Sequence, residues 1–378
     1  MPVIPELFRK TTVKSIGSIY DFDEYKVLIQ EYVEDGEWFT VAGLRRTGKT
    51  TLVRSVVRSL RVPSIYVNLW ELVPGEVSLK ALINEMLREF GREFAGRVRS
   101  IRRHIKEIVL FGVGIKFSEE KPSEGLTRVI EQILERRGKL VVILDEVQEL
   151  DRDFPRLIKY LAALHDLFAP NLVVILLGSI VSLKNMLDMI KGTPMRGRMT
   201  KEIVLRPFDT ITAIGFLRKG FSLCGIELPD NVLRHIVEYL GGFPGWLAEY
   251  GRAFIRHYRR SRQMPDPIKI MDYVYTEAKE TIYEEVAKLI SQRRKLINYI
   301  RILNHAAINI SVTPSEIAGL LNIKRNTAHK YLRFLNERAL LGEKNGRYYI
   351  EDPLVRRAMA EPDAIDRVLL AFKRIIMD

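Results

Sequence analysis

One cysteine, Cys224, stands in 378 residues, which excludes an internal disulfide and any multi-cysteine metal centre. Its flanks are apolar, so it reads as a buried structural thiol. The six histidines are scattered without ligand spacing, and no transition-metal site is expected. Long apolar runs are missing too. The longest, "IVLFGVGI" (108–115) and "NLVVILLG" (171–178), fall far short of the ~20 residues that span a bilayer, so no membrane association is expected. The N-terminal "MPVIPELFRKTT" lacks the apolar stretch of a signal peptide, and a cytoplasmic protein is expected. Neither an internal repeat nor a low-complexity segment breaks the pattern.

What is present is a globular composition with a strong charge bias. Hydrophobic residues make up 47% and charged residues 28%, with a net charge of +13 that favours an anionic partner such as nucleic acid. Low Cys and Gln with abundant Arg, Lys and Ile hints at a heat-stable protein. From Trp38 to about Leu205 short apolar runs alternate with helical patterns: "WFTVA" (38–42), "SIYVNL" (64–69), "KLVVILD" (139–145), "NLVVILLG" (171–178) and "EIVL" (202–205). Continuous apolar runs suit strands covered on both faces, and the alternation implies a parallel sheet with helices on both sides. Leu79, Leu82, Ile83, Met86, Leu87 and Phe90 keep the steps of a helix with one buried face. After "RPFD" (206–209) the strands stop. Helical segments ending on glycine follow, then the proline-containing connector "QMPDPIK" (263–269) and a second compact pattern from about Ile290.

The segment "GLRRTGKT" fits G-x-x-x-x-G-K-[ST] at every fixed position, between a strand and a basic helix. Backbone amides of Gly43, Leu44, Arg45, Arg46, Thr47 and Gly48 would surround phosphates, and Lys49, Thr50 and Thr51 open the helix whose N-terminus faces them. Lys49 would reach the β- and γ-phosphates of ATP and the Thr50 hydroxyl would bind Mg²⁺. The strand "LVVILDEVQEL" ends in two acids, which are costly there without a partner. Asp145 is expected on Mg²⁺ and Glu146 as the general base toward water. Ser179, at the end of the fourth run, either senses the γ-phosphate or is an ordinary helix N-cap. Arg196 and Arg198 lie in a Gly/Pro-containing loop; Arg198 is preferred as a phosphate contact, in its own subunit or a neighbour's.

"GLRRTGKTTL", "VVILDEVQEL", "ILLGSIVSLKNML", "MRGRMTKEIVLRPF" and "GGFPGWLAEYG" occur in an order that resembles the archaeal ATPase family, a STAND branch related to the AAA+ class. The resemblance covers about Ile19 to Asp352. It implies an α/β P-loop core with an extra strand between the glycine-loop and aspartate strands, a helical lid, and a C-terminal winged helix. It also implies that Pro244 of "GGFPG" packs near adenine, although that stretch alone reads equally as a helix-ending turn. The expected division is an ATPase core at 1–209, a lid at 210–285, a winged helix-turn-helix at 286–352 and a helical tail at 353–378. Where the family carries an arginine-containing segment before the first strand, this chain reads "IYDFDEYKVLIQEY".

The C-terminal reading also rests on local chemistry. Thr313-Pro314-Ser315-Glu316 is a capping box with proline at the first helical position. In "NTAHKYLRFLNERALL", Ala328, Tyr331, Leu332 and Leu335 are expected inward. Arg325, Asn326, His329, Lys330 and Arg333 then face outward toward bases and phosphates. Asn345-Gly346 is expected to turn a two-stranded wing that carries Arg347. From Ser291 onward 16 Lys and Arg face 9 Asp and Glu, which tilts toward double-stranded DNA over a protein-docking role. The arginines at 97, 99, 102 and 103, and at 256, 259, 260 and 262, read as solvated helix faces before phosphate-tracking ones. Three readings follow: an ATP-hydrolysing switch with a DNA-binding tail, a DNA-dependent motor, and a regulator with an inert nucleotide site. No second P-loop supports the motor, and intact Lys49, Thr50, Asp145 and Glu146 argue against inertness. Among partners, a homo-oligomer and a separate protein both stay open.

Overall fold

A computed structural model describes residues 3–9, 19–72, 78–94, 122–189, 194–291 and 293–377. The arginine cluster at 97–103, the run 108–115 and the side chain of Arg196 lie outside the described residues. Contacts divide the chain into two units. One is formed by Phe22–Gly43 and Lys49–Leu205, the other by Met1–Asp21, Leu44–Gly48 and Arg206–Asp378.

The first unit is an α/β layer structure. Helix α1 (Asp23–Asp35) closes on Gly36 in the left-handed conformation and leads into β1 (Phe39–Gly43). Then follow α2 (Lys49–Ser59), β2 (Ser64–Asn68), α3 (Leu79–Phe94), α4 (Pro122–Arg137) and β3 (Leu140–Asp145). Helix α5 (Phe154–Phe168), β4 (Leu172–Gly178), α6 (Ile180–Met189) and β5 (Lys201–Leu205) complete it. The strands pair in parallel in the order β2-β3-β4-β1-β5, so β4 is the expected extra strand between the loop strand and the aspartate strand. Central strands β1, β3 and β4 are buried along their whole length, whereas edge strands β2 and β5 alternate. That is the burial which continuous apolar runs require in the middle of a covered sheet. Leu82, Ile83, Met86, Leu87 and Phe90 of α3 are buried in the same core as β3 and β4.

The second unit is mainly helical. It contains α7 (Thr210–Ser222), α8 (Asp230–Leu240), α9 (Pro244–Ser261) and the long α10 (Pro267–Ile290). Gly241 ends α8 at φ +71°, and Asp266 caps α10 by accepting from the Ile268 amide at 2.9 Å. Phe8 is fully buried against Phe216 and Phe221, and a Cβ on Gly220 or Gly251 would collide with its ring. Cys224, expected to be buried, is half-exposed: it lies in the turn after α7, and its thiol donates to the Val3 carbonyl at 3.4 Å.

The same unit continues through α11 (Leu296–Ile308), β6 (Ser311–Val312), α12 (Pro314–Leu321) and α13 (Arg325–Glu337). β7 (Gly342–Lys344) and β8 (Arg347–Tyr349) form a hairpin, and β6 joins it to give the antiparallel order β6-β8-β7. Asn345 and Gly346 at the hairpin turn have φ +53° and +75°, as a type I′ turn demands. Both halves of the Thr313/Glu316 capping box form, at 2.6 and 3.3 Å. Ala328, Leu332 and Leu335 are fully buried, and half-buried Tyr331 packs edge-on against Tyr299 at 4.7 Å. Helices α14 (Pro353–Ala360) and α15 (Ala364–Met377) pack back on this unit: Tyr283 of α10 donates to the Ala358 carbonyl at 3.0 Å, and Asn304 of α11 to the Met359 carbonyl at 2.8 Å.

Candidate nucleotide site

Strand β3 delivers Asp145 next to Thr50, the second residue of α2. Asp145 is 2% exposed, and its Oδ2 accepts from Thr50 Oγ1 at 2.6 Å and Tyr66 Oη at 3.0 Å. Its Oδ1 accepts from the Glu146 amide at 2.9 Å. Burial pushes the Asp145 carboxyl above its ordinary value, and the neighbouring charge of Glu146 pushes the same way; Thr50, Lys49 and Tyr66 oppose them. Burial and the adjoining Asp145 likewise raise the Tyr66 phenol, so Tyr66 is a firm donor. A buried carboxylate clamped by two hydroxyls is costly unless a cation completes it. An all-oxygen set of Thr50 and Asp145 with Glu146 beside it suits a hard divalent ion such as Mg²⁺, and the residues therefore fit that ion.

Lys49 is buried, with its ammonium donating to the Gly43 carbonyl at 2.9 Å across the mouth of the loop. Within the loop Thr47 is buried and its hydroxyl donates to the Leu44 carbonyl at 2.8 Å. Gly48 has φ +92° and Arg46 φ +64°. Left-handed backbone is free for glycine and costs another residue about 1–2 kcal/mol. The Arg46 side chain turns to Glu285, at 2.7 and 2.8 Å, rather than into the loop. Arg45 is half-buried, and Thr51 is half-buried in the first turn of α2.

Glu146 leaves the strand at φ +54°, another non-glycine residue in left-handed backbone, of the sort that gathers at functional sites. Gln148 Nε2 donates to Glu146 Oε2. Gln148 Oε1 is buried without a partner, and a Cβ on Gly178 would come within 2.7 Å of it. Tyr66 and Gly178 are thus site residues that motif reading does not supply, whereas Gln148 stands in the quoted "VVILDEVQEL" with no role assigned from sequence. A tyrosine on the same strand face as Asn68, which stands in register with Asp145, is the one signal available for Tyr66.

Ser179, one residue past β4, is buried and its Oγ accepts from the Ser182 amide at 3.2 Å, the geometry of an N-cap on α6. Arg198 donates to the Ala162 carbonyl at 3.2 Å and pairs with Asp166, both on α5. The structure thus brings Lys49, Thr50, Asp145 and Glu146 together, while Arg198 is engaged on α5. Pro244 opens α9 in the other unit. On α13, Arg325, Asn326, His329, Lys330 and Arg333 are all exposed. Arg333 pairs with Glu337 at 2.9 Å, and exposed Arg347 donates to Ser311 Oγ at 2.8 Å.

A sheet with the aspartate strand set one strand away from a glycine-loop strand, and a Lys-Thr pair meeting an Asp-Glu pair, defines a P-loop nucleoside triphosphatase. Residues 28–250 match an ATPase domain predominantly from Archaea, and the chain belongs to that family. Among solved structures, the Walker-type ATPase PABY2304 of Pyrococcus abyssi superposes with a TM-score of 0.73 at 26% identity, over 94% of this chain and 100% of that one. The ORC2 protein of Aeropyrum pernix, solved as ADPNP–ADP complexes, gives 0.59 at 14% identity over 98% and 97% of the two chains. The Aeropyrum pernix ORC1 protein in complex with DNA gives 0.52 at 14% over 96% and 97%, a likeness of fold. No curated protein sequence matches the chain. The protein is an ATPase, and among its described residues no helix is long and apolar enough to cross a membrane.

Proposed function

We propose that the protein is a Mg²⁺-dependent ATP switch of the STAND type whose C-terminal module reads its state out on double-stranded DNA. The observation that carries the catalytic half is the bond between Thr50 and Asp145, with Glu146 next in the chain. In this reading the loop amides from Gly43 to Gly48 hold the triphosphate, and Lys49 neutralises its β- and γ-oxygens. Thr50 and Asp145 would hold Mg²⁺, which would supply charge neutralisation for the triphosphate. Glu146 accepts a proton from water as the water oxygen bonds the γ-phosphorus and the bridging bond to ADP breaks. Its hydrogen bond to Gln148 fixes where that carboxylate waits. Ser179 and Arg198 are proposed as γ-phosphate contacts, and Pro244 as an adenine neighbour.

The DNA half rests on α13. One face is buried through Ala328, Leu332 and Leu335, and the other presents Arg325, Asn326, His329, Lys330 and Arg333 to solvent. A helix so divided, followed by a basic hairpin carrying Arg347, suits major-groove and phosphate contact. A protein-docking reading has one observation in its favour: Ile308 and Ile310 are 60% and 66% exposed beside β6.

The test is ATP hydrolysis with and without duplex DNA, in wild type and Glu146→Gln. We expect DNA to raise the turnover of the wild type, and the variant to lose at least about 100-fold in kcat with ATP binding retained, as for loss of a general base. Turnover indifferent to DNA would favour the docking reading, and an active Glu146→Gln would remove Glu146 from the chemistry.

A further inference from the structure

The phosphate loop needs left-handed backbone at Arg46, and glycine would provide it without strain. The arginine has another use. One guanidinium nitrogen, Nη2, donates to both carboxylate oxygens of Glu285 of α10, at 2.7 and 2.8 Å, and the guanidinium lies 4.0 Å above the Trp246 ring of α9. It also stands 3.9 Å from Asp352. Trp246 Nε1 donates to both oxygens of Asp352 at 3.0 and 2.9 Å, and Asp352 caps α14 by accepting from the Leu354 and Val355 amides at 2.9 and 3.3 Å. The Arg46 carbonyl accepts from the Gly245 amide at 3.0 Å, where a Cβ would press within 2.9 Å of Arg46. Arg46, Glu285 and Asp352 are all largely shielded from water. Stacking flat on an indole while separate nitrogens face two carboxylates, Nη2 on Glu285 and Nη1 on Asp352, is what a guanidinium does well and a lysine does not.

We propose that Arg46 is the positioning residue through which the phosphate loop and the C-terminal module sense each other. Three chain segments that start α9, run along α10 and enter α14 converge on one loop residue. Any change in the loop backbone on taking up a triphosphate moves the Arg46 carbonyl and side chain together. It thereby loosens or tightens the Asp352 cap at the point where the hairpin β7–β8 passes into α14. The coupling is reciprocal, so whatever displaces Asp352 also changes the loop's grip on nucleotide. This rests on the reading that Gly43–Thr50 binds the triphosphate.

The test uses the full chain with ATP and Mg²⁺, and compares wild type with Arg46→Gly and Glu285→Gln. Arg46→Gly keeps the loop bend while deleting the side chain, and Glu285→Gln keeps the shape of α10. Amide exchange is read at Leu354 and Val355, alongside ATP affinity. In the wild type we expect ATP to change exchange there by at least about fivefold, the lower end of common coupling. In both variants exchange should be fast and indifferent to ATP, while Glu285→Gln, which leaves the loop's own residues intact, still binds ATP. A response to ATP that persists in both variants would overturn the proposal. So would a large loss of affinity in Arg46→Gly with Glu285→Gln unaffected, which would make Arg46 a direct phosphate ligand. Lys49→Ala, run in parallel, should abolish ATP binding. Its failure to do so would sink the reading of the loop itself, a pattern distinct from a failed coupling.

Discussion

Asp145 shows how a single side chain is made usable. It is almost wholly buried, its charge is opposed by burial and by Glu146, and Thr50 and Tyr66 hold one oxygen in place. Arg54 lies 4.2 Å over the Tyr66 ring and fixes that phenol in turn. Tyr66→Phe should therefore lower stability by about 1.5–3 kcal/mol, the worth of a hydrogen bond to a charged group. It should also raise the Mg²⁺ concentration needed for half-maximal ATP hydrolysis several-fold. A denaturant melt reads the first and a Mg²⁺ titration of hydrolysis the second; equal Mg²⁺ midpoints would show that Thr50 alone positions Asp145. The pairs Lys49–Thr50 and Asp145–Glu146 each stand in a short local pattern, but the Thr50–Asp145 bond joins residues 95 apart. Tyr66 depends on the register between β2 and β3, and Glu285, a partner of Arg46, lies 239 residues further along the chain. No local pattern encodes such meetings.

Among elements, the strands follow the apolar runs to within a residue at each end, because a strand covered on both faces has no use for polar side chains. The start of α12 was equally plain, since a capping box satisfies its donors within four residues. Thr313→Ala should cost about 1 kcal/mol, read as a fall in unfolding midpoint, and leave ATP hydrolysis unchanged. A midpoint equal to wild type would show that tertiary packing alone holds α12. Helix α10 was harder to see. Ile270, Met271, Val274, Ala278, Ile282 and Val286 keep a helical spacing and are buried, yet only the connector prolines before it mark the boundary. Phe8 was illegible for another reason: its pocket is made by the absence of side chains at Gly220 and Gly251, on two different helices.

For the whole chain, the division into units cuts through the phosphate loop, with Gly43 and Lys49 assigned to one and Leu44–Gly48 to the other. The basic surplus after Ser291 would suit an anionic partner. The central claim is that nucleotide state governs contact between α13 and DNA. The measurement that tests it is duplex DNA affinity with ATP–Mg²⁺ and with ADP–Mg²⁺, across a salt series, for wild type and for Lys330→Ala/Arg333→Ala. We predict that affinity differs between the two nucleotides by at least about fivefold, within the usual range of coupling. The double variant should bind more weakly with a salt slope reduced by about 2, one for each lost phosphate contact. Equal affinity in both nucleotide states, or a salt slope untouched by the substitutions, would contradict it.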